Sequence, residues 1–234
     1  MSDFRYVRPN RFPPVVKNLI IINVLVYVAQ VTFGSNANFD IDHMFALHDV
    51  RSVYFKPYQL ITHMFMHGGI DHLFFNMFAL WMFGSLLENY WGAKRFLQFY
   101  LICGLGAALL HLGVLYFELK PVWETFQAMP KEIKDQWEYS NRFRLNEATV
   151  GASGAIFGCL AAFGYLFPNS LIYVYFLFPM KAKWFVLIYA GFELWLGVRN
   201  SAGDNVAHFA HLGGALAGII IILIWNKTNR KTLY

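Results

Sequence analysis

Four polar side chains stand inside apolar stretches of this chain at spacings that suit nucleophilic catalysis. Ser153 lies in Gly151-Ala152-Ser153-Gly154, His72 and Asn76 are four residues apart, and His211 lies in Ala210-His211-Leu212-Gly213-Gly214. A serine hydroxyl attacks a carbonyl well only when a base takes its proton, and neutral histidine does this at neutral pH. A serine at the start of a helix also has backbone N–H groups without intrahelical partners beside it, at the positive end of the helix dipole. Those groups favour an oxyanion next to the serine. The i, i+4 spacing puts His72 and Asn76 on one helix face, from which both add donors to the same oxygen. Gly151 and Gly154 read as bulk removed around Ser153, so that a substrate backbone comes close. Phe157 follows one turn later on the face of Ser153, in position to pack against the base. His208 competes with His211 for that role. Gly218 lies seven residues beyond His211 and ten beyond His208, which is about 20° and about 80° around a helix. His211 therefore shares a smooth stripe with Gly214 and Gly218, where a neighbouring helix approaches closely, and is the predicted base.

These residues act together only if separate elements bring them to one depth. The chain has 234 residues, 57% hydrophobic, 19% aromatic and 14% charged. Soluble domains carry about 25% charged residues, so this composition points to a membrane protein rather than a soluble or disordered one. Its two cysteines, Cys103 and Cys159, lie in apolar runs and make no disulfide scaffold. No charge occurs between Lys17 and Asp40, between Arg95 and Glu118, or between Asp204 and Lys227, and each gap holds 22 residues. About 20 apolar residues cross a bilayer core. The uncharged stretch from Ala148 to Met180 holds 33 residues, too many for one crossing, and Pro168-Asn169 breaks it. The reading is an all-α bundle of six transmembrane helices at about 15–34, 60–87, 95–117, 150–167, 182–198 and 206–226, forming one membrane domain over 1–234.

Charge at the flanks orients the bundle. Arg5, Arg8, Arg11 and Lys17 precede the first span, and Lys227, Arg230 and Lys231 follow the last. With an even number of spans both termini share a side, and the positive-inside rule makes it cytoplasmic. The net charge of +5 then reads as membrane topology and not as a nucleic-acid surface. The first apolar run is long for a signal peptide and has no clear small-x-small site after it. The connections 35–58 and 118–147 fall outside and carry aromatic rings suited to the headgroup level. Spans two, four and six all run inwards from outside, with their polar residues in the outer half. Ser153 lies six residues beyond Glu147 and His211 seven beyond Asp204, so the two sit at similar depth in a cell membrane, open to the outside.

The run His63, His67, His72, Asn76, then Gly151-Ala152-Ser153-Gly154, then Ala210-His211-Leu212-Gly213-Gly214 with Gly218 resembles the rhomboid intramembrane serine proteases. Its parts match that family's H-x-x-x-N in the second span, G-x-S-G opening the fourth, and A-H-x-x-G-x-x-x-G in the sixth. The resemblance implies a six-helix bundle with a Ser153–His211 dyad and no acid orienting the base. It also implies that His72, Asn76 and the Ser153 N–H stabilise the oxyanion, that no cofactor or metal is needed, and that the substrates are transmembrane segments of other membrane proteins. One departure is Tyr58-Gln59, where many members carry a Trp-Arg pair.

Blander readings compete at each position. Gly-x-Ser-Gly in a membrane helix is commonly a packing motif, and His72 with Asn76 can serve as interhelical hydrogen-bond partners. His63, His67 and His111 read as structural or water-holding, Glu193 as paired with a neighbouring polar group or snorkelling, and the cysteines as small packing residues. A metal-binding or transporting protein is the alternative class, using His63 and His67, Asp71, and His208 with His211. No H-E-x-x-H run for zinc proteolysis is present. A non-catalytic binding protein on the same fold is a third class, expected where the serine or histidine is lost. Coincidence of the polar positions in three spans favours catalysis.

Overall fold

The computed structural model describes residues 9–34, 40–140, 142–174, 177–199 and 207–229. Arg5, Arg8, Asp204, Arg230 and Lys231, used above for flanks and depth, lie outside the described residues, as do 35–39 and position 206. Among the described residues six helices of 14 residues or more dominate: α1 Pro14–Phe33, α2 Ile70–Trp91, α3 Ala93–Glu118, α4 Ser153–Leu166, α5 Ala182–Arg199 and α6 His208–Asn229. By length and composition α1, α2, α3 and α6 meet the requirement for crossing a membrane, while α4 is apolar but shorter. The chain is thus a mainly helical, multi-pass membrane protein.

Helix ends follow local chemistry. Pro14 opens α1, where its missing N–H costs nothing. The N–H groups of Val15 and Val16 donate to Glu88 Oε1 and Oε2 at 3.0 and 2.8 Å, so an acid at the end of α2 caps α1. Gly92, with φ +81°, makes the turn between α2 and α3. The expected second span, 60–87, is in fact two pieces. Gln59–Thr62 and the 3-10 turn His63–Phe65 form a short stretch, Met66 is extended, and α2 begins only at Ile70. Gly68-Gly69 favours that break, because glycine loses most on entering a helix. α2 then continues past 87 to Trp91, through one wide π turn at Leu80–Gly84.

The centre is a trio of α3, α4 and α6. In α4 all residues from Gly158 to Gly164 are buried, whereas α1 and α5 turn large apolar side chains outward, Leu25 at 62% and Val198 at 71% exposure. Apolar side chains around a whole helix face lipid. α4 stops at Leu166, before Pro168, and an antiparallel hairpin, β1 Leu171–Val174 with β2 Phe178–Lys181, leads to α5. That small sheet is the one departure from an all-α architecture among the described residues.

The described residues of both long connections are built structures. In the first, Gln59 is fully buried and its Nε2 donates to the carbonyls of Tyr54, His43 and Met44. Arg51 pairs with Asp49 at 2.8 Å and donates to Leu115 O at the end of α3. His48 is fully buried and donates from Nδ1 to Asn146 O, and burial lowers its pKa from the ordinary value. The second connection has a small core of Leu119, Phe126, Phe143 and Leu145.

Candidate active site

Ser153 is delivered by a short extended segment and a sharp entry into α4. Thr149 and Leu47 exchange both backbone hydrogen bonds, and the Gly151 N–H donates to His63 O at 2.9 Å. Gly151 has φ +131°, a conformation that L side chains rarely adopt. Ala152 is already helical, and the first α4 N–H to be bonded within the helix is that of Ile156, to Ala152 O. The N–H groups of Ser153 and its two successors have no intrahelical acceptor.

Gly151 matters for space as well. A Cβ there would lie 3.0 Å from His72 Nε2 and 3.5 Å from Ser153 Oγ, filling the gap between them. Gly154 does something else. Its missing side chain is replaced by Ala107 of α3, with Ala210 O of α6 also near. The reading of Gly154 as room for substrate is therefore corrected: it is room for helices. Gly214 likewise faces the backbone of Gly154, and Gly218 that of Gly158, so α4 and α6 meet through glycines on both sides.

His211, in the first turn of α6, faces three partners. Its Nε2 lies 2.8 Å from Ser153 Oγ. Phe157 stacks on its ring with centroids 4.2 Å apart and planes 3° apart. Its Nδ1 lies 2.9 Å from Glu193 Oε2, on α5. His208 Nδ1 approaches the same oxygen at 2.7 Å. The expectation of no acid behind the base is thus corrected for this chain. Of the two readings of Glu193, pairing with a polar group and snorkelling, the structure shows pairing; its partners, 15 and 18 residues away on another helix, are not given by local spacing.

His72 and Asn76 lie on α2 and line one cavity of about 1080 Å³ with Ser153, Phe157 and His211. The Gly68 N–H reaches His72 Nδ1 at 3.4 Å. An accepting Nδ1 leaves the proton of a neutral ring on Nε2, the atom beside Gly151. Asn76 is buried, and its Nδ2 bonds to nothing among the described residues. Phe75, Phe78 and Phe83 of α2 and Phe185 and Tyr189 of α5 line the same cavity.

The remaining histidines divide differently. His63 donates from Nδ1 to Gln59 O, while its own carbonyl holds Gly151. His111 Nε2 pairs with Thr149 Oγ1 at 2.8 Å. Both brace the segment leading to Ser153. The set His63, His67 and Asp71 is not assembled, because helix does not continue from 63 to 71. Among the described residues, the one group of three metal-capable side chains is Glu193, His208 and His211.

A half-buried serine in contact with a histidine, inside a polytopic helical bundle and facing a cavity between helices, defines the class as a membrane protein with hydrolase-like geometry. The family model described as Rhomboid domain matches residues 54–227. The chain belongs to the rhomboid family. Rhomboid-like protein 11, chloroplastic, of Arabidopsis thaliana is 28% identical over 230 residues, covering 89% of this chain and 64% of its own length. Rhomboid protein 1, mitochondrial, of Saccharomyces cerevisiae is 31% identical over 166 residues, covering 69% and 40%. Rhomboid protease AarA of Providencia stuartii is 27% identical over 219 residues, covering 88% and 70%. The chain therefore spans less than two thirds of the length of the first two relatives.

Proposed function

We propose that this chain is a serine endopeptidase that hydrolyses peptide bonds in or near transmembrane segments of other membrane proteins. The observation that carries the reading is the 2.8 Å contact between His211 Nε2 and Ser153 Oγ at the wall of a cavity lined by phenylalanines of α2 and α5. Ser153 Oγ attacks the scissile carbonyl carbon while its proton passes to His211 Nε2. The carbonyl oxygen becomes an oxyanion, held by the Ser153 N–H, His72 Nε2–H and Asn76 Nδ2–H. As the C–N bond breaks, His211 returns the proton to the leaving amine. Water then gives its proton to His211, attacks the acyl-serine and releases the acid, restoring Ser153 Oγ–H. None of these steps calls on a cofactor or metal.

Apolar ring walls suit a hydrophobic substrate segment, and His72, Asn76, Ser153 and His211 give the lining its polar groups. α4 has 14 residues and rises about 21 Å, less than the ~30 Å bilayer core. We take six spans over one domain, with Ser153 below the outer membrane surface and both termini cytoplasmic. The test is cleavage of a transmembrane substrate in proteoliposomes by wild type and Ser153→Ala. Wild type is expected to cleave and the folded variant to lose cleavage entirely. Equal cleavage by both would overturn the reading.

A further inference from the structure

We infer that Glu193 is a positioning residue for His211, which turns the Ser153–His211 pair of this chain into a carboxylate-backed triad spread over α4, α5 and α6. The inference rests on the proposed serine mechanism and adds to it a group that the mechanism did not use.

Glu193 is 4% exposed, midway along a helix whose neighbouring positions face outward. A carboxylate at such depth persists only where partners compensate it. Its Oε2 has two, His211 Nδ1 at 2.9 Å and His208 Nδ1 at 2.7 Å. An ionised carboxylate accepts hydrogen bonds and cannot donate them, so both Nδ1 atoms carry protons. A neutral His211 with its proton on Nδ1 has a bare lone pair on Nε2. That is the atom 2.8 Å from Ser153 Oγ, so Glu193 selects the tautomer in which His211 accepts the serine proton. When the proton arrives, His211 becomes an imidazolium between Ser153 and Glu193, and the carboxylate stabilises it without taking a proton itself. Phe157 fixes the ring plane from the side, so rotation away from Glu193 is hindered as well.

His208 approaches the same carboxylate oxygen as His211. It lines an adjoining cavity of about 300 Å³, with His111, Glu118 and Arg144, and is not among the residues lining the larger cavity of Ser153. Its bond to Oε2 holds the carboxylate still. This assigns the two histidines of α6 to different tasks, His211 to the proton and His208 to the anchor.

The experiment compares Glu193→Gln, Glu193→Asp, His208→Gln and Ser153→Ala with wild type, all as purified full chain in proteoliposomes. kcat and KM for a transmembrane substrate are read together with the rate of fluorophosphonate labelling. In Glu193→Gln a neutral amide replaces the anion and its NH₂ can donate to a ring nitrogen, favouring the wrong tautomer. Its kcat is expected to fall by roughly 10²–10⁴-fold, with KM within about twofold and labelling slowed in parallel. Glu193→Asp keeps the charge and is expected to recover at least about tenfold over the amide, and His208→Gln to stay within about tenfold of wild type. If Glu193→Gln fails to fold, Glu193→Ala decides: with the carboxylate removed, kcat and labelling are expected to fall by at least about 10²-fold, and a folded Glu193→Ala enzyme with wild-type kcat overturns the inference. So does a Glu193→Gln enzyme with wild-type kcat and labelling, while loss of cleavage in Ser153→Ala alone keeps the serine mechanism. Wild-type activity lost in chelator and restored by zinc would give the three side chains to a metal and overturn the inference too.

Discussion

His211 is held at both ring nitrogens and on one face, and each hold has a separate source in the chain. Ser153 comes from the start of α4, Glu193 from the middle of α5 and Phe157 from one turn below the serine. The opposite side of Ser153 belongs to His72 and Asn76, which take no part in activating it in the proposed mechanism. Their expected role is limited to the oxyanion. His72→Ala and Asn76→Ala should therefore each lower kcat by on the order of 10²–10³-fold while leaving fluorophosphonate binding geometry and fold intact. Steady-state kinetics on the two purified variants checks this. Unchanged kcat in both would remove them from the site. Gly151 ties the two halves together, since any Cβ there enters the space between His72 and Ser153.

At the level of elements, glycines set how near the helices come. Gly214 has no room for a side chain because the backbone of Gly154 occupies it, and Gly106 meets Ala217 in the same way on the other side of α6. Gly191 on α5 has nothing within 4 Å of a Cβ. Gly214→Ala is thus expected to lower stability by about 1–3 kcal/mol or more through overpacking, and to lower activity by moving His211 away from Ser153. Gly191→Ala is expected to leave both near wild type. Thermal unfolding in detergent, followed with cleavage rate, separates the two. This level also explains what was legible beforehand. The catalytic set is readable because Ser153, His72, Asn76 and His211 each break an apolar run, and a local spacing places each on its helix. The start of α2 is not legible because no Asp, Glu, Lys or Arg interrupts 60–66, and hydropathy does not register the backbone break at Gly68-Gly69. The hairpin Leu171–Val174 with Phe178–Lys181 was hidden for the same reason, an apolar stretch that serves a strand as well as a helix. Glu193 was visible as a charge, but its partners depend on how α5 docks on α6, which no local pattern encodes. Gly154 was read for chemistry when its neighbours, Ala107 and Ala210, assign it to packing.

Over the whole molecule, an apolar core is combined with an apolar outer face and a polar interior region. Large apolar side chains cover α1 and α5, while most of the buried polar residues gather at one end of the bundle. The connections at that end are braced from several sides, by Gln59 just after the first loop, by Arg51 on the end of α3, and by Asn146, whose amide donates to Glu138 O and Ser140 O. Such bracing gives the segment 147–152 a fixed course and so fixes Ser153. Activation of the serine is then a property of the assembled chain, since Ser153 alone is an ordinary hydroxyl. The central claim is that this serine is a nucleophile activated by His211. Its most direct test is the site of covalent attachment of a fluorophosphonate, mapped by mass spectrometry on native protein, on heat-unfolded protein and on His211→Ala. The account predicts one adduct, on Ser153, in the native chain, and none in the other two. An adduct elsewhere in the native chain, or equal labelling of Ser153 in folded His211→Ala, would contradict it.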